Sequence, residues 1–119
     1  MIHHVGLEAS DLARSARFYD AVLFALGGRR LYESPGALGW GVDEPVLWLT
    51  ARGRTPGGTG HVALRASGRA AVRAAWEEGI GAGGTDDGPP GPRPENGPAY
   101  FAAYLLDPDG ARVEVCAVA

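Results

Sequence analysis

Three side chains able to ligate a metal stand at positions related by strand period and by an internal repeat. His4 lies in "IHHVGLEAS", Ile2 to Ser10, and His61 lies in "TGHVALRAS", Thr59 to Ser67. Aligned on those histidines, the segments share Val5/Val62, Leu7/Leu64, Ala9/Ala66 and Ser10/Ser67, at an offset of 57 residues in a chain of 119. Each segment alternates. Val5, Leu7 and Ala9 point one way and His4, Gly6 and Glu8 the other; in the repeat the polar set is His61, Ala63 and Arg65. That is the pattern of a strand with one apolar face. The third candidate is Glu114, which shares a face with Arg112 and Cys116, opposite Val113, Val115 and Ala117. In the corresponding strand of the first half Trp48 takes its place. With helices on the Val and Leu faces, the other faces curl toward each other and enclose a cavity. That cavity is expected to hold His4, His61 and Glu114 from three strands. Two imidazoles and a carboxylate suit a divalent metal, giving three ligands and leaving positions for water or substrate. Only the neutral imidazole ligates, so binding weakens in acid. Taken alone, each residue has a plainer reading: a hydrogen-bonded strand histidine, a solvated glutamate. The repeat favours the metal, because both histidines occupy one equivalent place.

Other residues gather round this expected cavity. Tyr100 and Tyr104 share a face and either line the cavity or are core tyrosines with satisfied hydroxyls. Glu8 and Arg65 are repeat equivalents, either paired across the pseudo-twofold or solvated at a rim. Glu114, Tyr100, Tyr104 and Glu8 are the candidates for catalytic roles, the last three as groups that move a proton. Trp40 and Trp48 are read as cavity walls, and Trp76 as helix core. Arg93 and Asn96 can reach an anionic substrate; with Trp40, Trp48 and Arg65, Arg93 completes the expected substrate pocket. His3 points to the other face, at the edge of the core. Cys116 reads as an inert small hydrophobe.

The elements that must position these residues also repeat. After the first strand, Asp11 or Ser10 caps a helix whose apolar face is Leu12, Ala16, Tyr19, Leu23 and Leu26, with Phe18 and Val22 beside it. Gly27-Gly28 ends it. "RRLYES", "LGWGV" and "PVLWLTA" are three short strands parted by turns. After His61–Ala66 a second helix carries Val72, Ala75, Trp76 and Ile80. A weak strand near Gly83–Thr85 follows, then "PAYFAAYLL" and "ARVEVCAV", joined by the turn "DPDG". The stretch Gly84 to Pro98 holds five Pro and four Gly in fifteen residues and reads as a mobile surface loop or a lid. The fold class expected is α+β: two βαβββ modules, 1–56 and 57–119, related by a pseudo-twofold within a single domain, 1–119, with mixed sheets curled round a cleft.

Composition narrows the function classes. Apolar residues make up 45% and charged residues 21%, with net charge −3. Neither a basic run nor a basic balance supports nucleic-acid binding. All eleven basic residues are Arg, which excludes a catalytic Lys or a Schiff base. The single Cys excludes an intrachain disulfide. There is no signal-peptide pattern and no apolar run near 20 residues, so a cytoplasmic protein without membrane contact is expected.

The motifs "HHVGLEASDLARSARFY", "TGHVALRAS" and "YLLDPDGARVEV" together resemble the glyoxalase/bleomycin-resistance/extradiol-dioxygenase superfamily, the vicinal oxygen chelate proteins, over essentially the whole chain. The resemblance implies paired βαβββ modules around a divalent metal (Zn²⁺, Ni²⁺, Mn²⁺ or Fe²⁺), a small-molecule substrate and a homodimer, with sites built within one chain or across two. It places His4, His61 and Glu114 on the family's ligand positions. Glyoxalase I carries a further carboxylate where this chain has Trp48. The remaining two-His-one-carboxylate set is that of fosfomycin-modifying thiol transferases and extradiol dioxygenases. The activity implied is metal-dependent chemistry of the lyase/isomerase, thiol-transferase or dioxygenase kind. Metal-free members sequester an antibiotic, and that is the alternative function.

Overall fold

The computed structural model describes residues 1–119. The chain runs β1 (Val5–Glu8), α1 (Leu12–Ala25), β2 (Arg29–Ser34), β3 (Ala37–Gly41), β4 (Pro45–Thr50), β5 (His61–Arg65), α2 (Arg69–Gly81), β6 (Thr85–Pro92), a 3-10 turn (Pro94–Asn96), β7 (Phe101–Leu106) and β8 (Arg112–Ala117). Two four-stranded sheets repeat one order, β1-β4-β3-β2 and β5-β8-β7-β6. In each, the first strand pairs parallel with the last, and the rest is antiparallel. Gly6 faces Trp48 across β1–β4, and Ala63 faces Glu114 across β5–β8. Since Gly6 and Ala63 are repeat equivalents, Trp48 stands where its sister module has Glu114.

The helices form where the sequence places their caps and apolar stripes. Asp11 accepts from the Arg14 amide at 3.0 Å, and α1 buries Ala16, Phe18, Tyr19, Val22 and Leu23. Gly27 follows in the left-handed region, at φ 88°. The apolar faces of both sheets and both helices share one core, containing Leu38, Trp40, Leu47, Leu49, Val72, Phe101, Leu105, Val113 and Val115. The modules meet through α1 and α2. A Cβ added at Gly79 would lie 2.9 Å from Val22 Cγ2 and 3.0 Å from Leu105 Cδ1, so the absent side chain sets how closely the helices approach.

A second tie joins the modules at the β7–β8 turn. Asp109 accepts from the Ser10 amide (2.9 Å), the Ser10 hydroxyl, Arg14 (2.9 Å) and Ser15 (3.4 Å), all at the start of α1. The buried Asp107 accepts from the Tyr19 hydroxyl at 2.6 Å and from the amides of Asp109 and Ala111. Burial and the charge and hydrogen bond of Asp107 push the Tyr19 phenol far up.

The proline-rich stretch is not a lid loop. Most of it is β6, followed by the 3-10 turn. Three of its prolines, Pro89, Pro90 and Pro92, lack an N–H, yet β6 is an edge strand and needs a partner on one side only. Register shifts between Asp86, Gly88 and Gly91 absorb the positions that cannot pair. No helix is long and apolar enough to cross a membrane.

Candidate functional site

Glu114 is the centre of the second module's helix-free face. It lies mid-strand in β8, opposite Ala63 on β5 and Tyr104 on β7. Its side chain is only 5% exposed, yet it is flanked by polar groups rather than by core. His61 Nε2 lies 3.1 Å from Oε1, and the Tyr100 hydroxyl donates to Oε2 at 2.5 Å. The His61 imidazole keeps its outer part open, at 43% exposure. Two ligands of one tetrahedral ion, each at 2.0–2.1 Å, stand about 3.3 Å apart. The His61–Glu114 pair therefore has the spacing of two donors to one metal.

The tyrosines frame this pair. The Cys116 thiol, the Glu114 carboxylate and burial together push the Tyr100 phenol well above the usual tyrosine range. Burial, then the Glu114 charge, raises Tyr104 too, with Arg112 and Arg93 opposing. Both hold their protons firmly at neutral pH, so Tyr100 acts on Glu114 as a hydrogen-bond donor rather than as a base. The Arg112 guanidinium lies 4.0 Å from the Tyr104 ring centre and Arg93 lies 5.4 Å from it. Arg112 also pairs with Asp87 at 2.6 Å, and Arg93 donates to the Pro89 carbonyl at 2.7 Å. Arg93 thus sits on the site's face, but as part of its wall. Asn96, in the 3-10 turn, bonds through its own amide to the Arg93 carbonyl.

The expected cavity joining His4 to His61 and Glu114 does not form within one chain. No group of three His, Cys, Asp or Glu side chains is placed to hold an ion. The reason is how the modules lie. Asp109, just before β8, binds Ser10, just after β1. His61 pairs with Arg112 at the start of β8. His61 lines a small cleft together with Val5, Gly6 and Leu7 of β1, whereas the His4 side chain lines a different cavity. His4 instead packs edge-on to Trp48, ring centres 6.5 Å apart, with its Nδ1 2.9 Å from that of His3.

His4 and Trp48 belong to a separate cavity of about 790 Å³ on the first module's helix-free face. Tyr32, Glu8, Glu44, Arg52 and Arg54 also line it. His3, expected at the core edge, faces this cavity too. Glu8 does not pair with Arg65. Its carboxylate accepts from the Thr50 hydroxyl (3.0 Å) and the amides of Arg52 (2.6 Å) and Arg54 (3.1 Å). The Arg52 amide first, then those other donors and the Arg54 charge, outweigh burial and hold it below the usual glutamate range. Arg65 is exposed and takes part in no ion pair. Trp40 is not a cavity wall. It is fully buried against Tyr19 on the helix side, its indole N–H donating to Asp20 at 2.8 Å. Trp76 is only partly buried and donates to Asp86 at 3.1 Å. Arg52 and Arg54 were not singled out from the sequence; the two guanidines in "TARGRT", directly after a cavity-facing strand, are the signal that points to them.

Comparison with known proteins agrees with this architecture. Among curated proteins none matches. The chain is similar to a glyoxalase/bleomycin resistance protein from Albidiferax ferrireducens, at 28% identity and TM-score 0.86 over 96% of each chain. It shares its fold with a glyoxalase-related enzyme from Fulvimarina pelagi (22% identity, TM-score 0.77, 98% of this chain and 87% of that one). The same holds for lactoylglutathione lyase from Agrobacterium tumefaciens (23% identity, TM-score 0.70, 98% and 92%). A family model covers residues 1–115, and the chain belongs to the Glyoxalase/Bleomycin resistance protein/Dioxygenase superfamily.

Proposed function

We propose that this chain is a metal-dependent enzyme acting on a small oxygen-chelating substrate. It works as a homodimer whose ion is held by His61 and Glu114 of one chain and His4 of a second copy. Each chain is a single unit of two modules, 1–56 and 57–119. The observation that carries this reading is the buried Glu114 carboxylate. It is set 3.1 Å from an imidazole that stays open on its outer side. A carboxylate so enclosed without a full cationic partner is costly unless something neutralises it. The mixed donor set suits Zn²⁺, Ni²⁺, Mn²⁺ or Fe²⁺. When bound, the ion supplies Lewis acidity toward one or two neighbouring substrate oxygens. The protein's own part is to hold the ligands. Tyr100 fixes Glu114 Oε2, and the Tyr104 ring stands 6.5 Å from the His61 ring centre. The reaction is of the lyase/isomerase, thiol-transferase or dioxygenase kind. Trp48, in place of a fourth ligand, weighs against the lactoylglutathione lyase reaction. A second reading, a metal-free antibiotic-binding protein, draws support from the aromatic wall of the first module's cavity.

Metal content tests the proposal. Protein purified without chelator and given these ions is expected to hold one per chain, and His61→Ala and Glu114→Ala to lose it. Binding at background level in the unaltered protein would sink the enzyme reading. Stoichiometric antibiotic binding by that same metal-free protein would establish the second.

A further inference from the structure

The first module's cavity has a shape and polarity of its own. One row of residues crosses its floor, Gly6 on β1, Trp48 on β4, Gly39 on β3 and Tyr32 on β2. The two glycines differ in what they leave. A Cβ at Gly39 would lie 3.1 Å from the Trp48 ring, so the indole leans over β3 toward Tyr32, ring centres 5.0 Å apart. A Cβ at Gly6 would meet nothing within 4 Å. On that side the indole therefore borders an open slot, with His4 at one end and Glu8 at the other. The slot runs about 13 Å between them.

Its ends differ in net charge: two guanidines outnumber the Glu8 carboxylate at one end, and Glu44 stands at the other. Glu44, beside Pro45 at the start of β4, lies at the His3 and His4 end. Arg52 and Arg54 lie beyond Glu8, which grips their amides and fixes where they stand. Both line the cavity, and neither takes part in an ion pair. Their single acidic neighbour on that side, Glu8, already accepts three hydrogen bonds. A guanidinium pair at the end of an aromatic-walled slot suits a carboxylate borne on a flat ring.

We propose that this slot binds a planar conjugated carboxylate, its ring over Gly6 against Trp48 and its carboxylate at Arg52 and Arg54. This deepens the proposed function by naming the substrate class, and rests on it only in taking this face as the substrate side.

Calorimetry on the chelator-treated protein tests it with three probes: 2-naphthoate, the flat neutral 2-naphthalenemethanol, and the saturated decahydro-2-naphthoate. Naphthoate is expected to bind about ten-fold or more tighter than either of the others. Arg52→Gln with Arg54→Gln keeps both amides on Glu8, so the fold stands. It is expected to remove that advantage while leaving the alcohol unaltered. Gly6→Val, which adds a β-branched residue where there is room for it, is expected to abolish binding of both naphthyl probes by filling the slot. Equal affinity for the three probes, or naphthoate binding that ignores the double substitution, would overturn the proposal. Metal uptake by the same preparations separates the two ideas. Uptake without naphthoate selectivity sinks this inference alone; naphthoate selectivity without uptake sinks the proposed enzyme alone.

Discussion

Glu114 is a carboxylate whose two oxygens are divided between an imidazole and a phenol. The phenol touches neither the proposed ion nor substrate, so Tyr100 is a positioning residue. Tyr100→Phe removes the donor to Oε2 and leaves that oxygen without its partner. The expected result is a loss of metal affinity of about ten- to a hundred-fold, the range for partners that orient ligands. Chelator competition measures it. A purely structural role would lower the melting temperature and leave affinity intact, so the two are read side by side. The face shared by Glu114 and Tyr104 was legible in the sequence because β7 and β8 pair without a register shift from Phe101 to Leu106, and Tyr100, one residue before β7, reaches the same carboxylate. Trp40, expected as a cavity wall, instead shares the buried face with Leu38, two residues before it on β3. The bonding of Glu8 was not legible. Two of its three partners are backbone amides beyond the end of β4, and no side-chain pattern records where those amides turn.

At the scale of elements, two features decide how the modules hold together. The first is Gly79, where α1 and α2 approach. Replacing a helical glycine by alanine gains about 0.8–1.0 kcal/mol of propensity. Here the new methyl would press on Val22 and Leu105, and overpacking costs about 1–3 kcal/mol. Gly79→Ala is therefore expected to destabilise, whereas Gly81→Ala, with nothing within 4 Å, gains a few tenths. Urea midpoints of the pair test the contrast. The second is Asp109. Burial raises its pKa, but the bonds from Ser10, the Arg14 charge and Ser15 outweigh it and hold the carboxyl low. A carboxyl held low in the folded state stabilises above its ordinary pKa, and that stabilisation is lost as pH falls through the folded value. Stability is thus expected to fall more steeply below about pH 4 in the unaltered protein than in Asp109→Asn. At neutral pH Asp109→Ala is expected to cost about 1–3 kcal/mol. Urea unfolding across pH checks both. The "DPDG" turn was legible, but its partners at Ser10 and Arg14 were not, because they lie nearly the whole chain away. Nor was β6: edge position, which excuses its prolines, is a property of the assembled sheet.

The placement of whole modules is what strand period cannot encode. Alternation sorts each strand's faces, and it put His4 and His61 on equivalent faces of equivalent strands. It says nothing about whether two equivalent faces of one chain meet. Here the helices pack together, and His61 opens on a cleft shared with Val5, Gly6 and Leu7 while His4 opens on the first module's own cavity. The proposed site draws on two chains, and that has a consequence no single-chain site shares. His4→Ala and Glu114→Ala each spoil every site in a pure homodimer. In a mixed dimer the defects fall together: one site has both mutations, and the other has His61 and Glu114 from the first variant and His4 from the second. Mixed dimers, isolated by a different tag on each chain, are expected to bind one ion per dimer, although neither parent binds any. If all three ligands came from one chain, each site would contain one defect and the mixed dimer would stay empty. Metal analysis of the doubly tagged fraction, with a tagged unaltered dimer as the full-occupancy standard, decides between them.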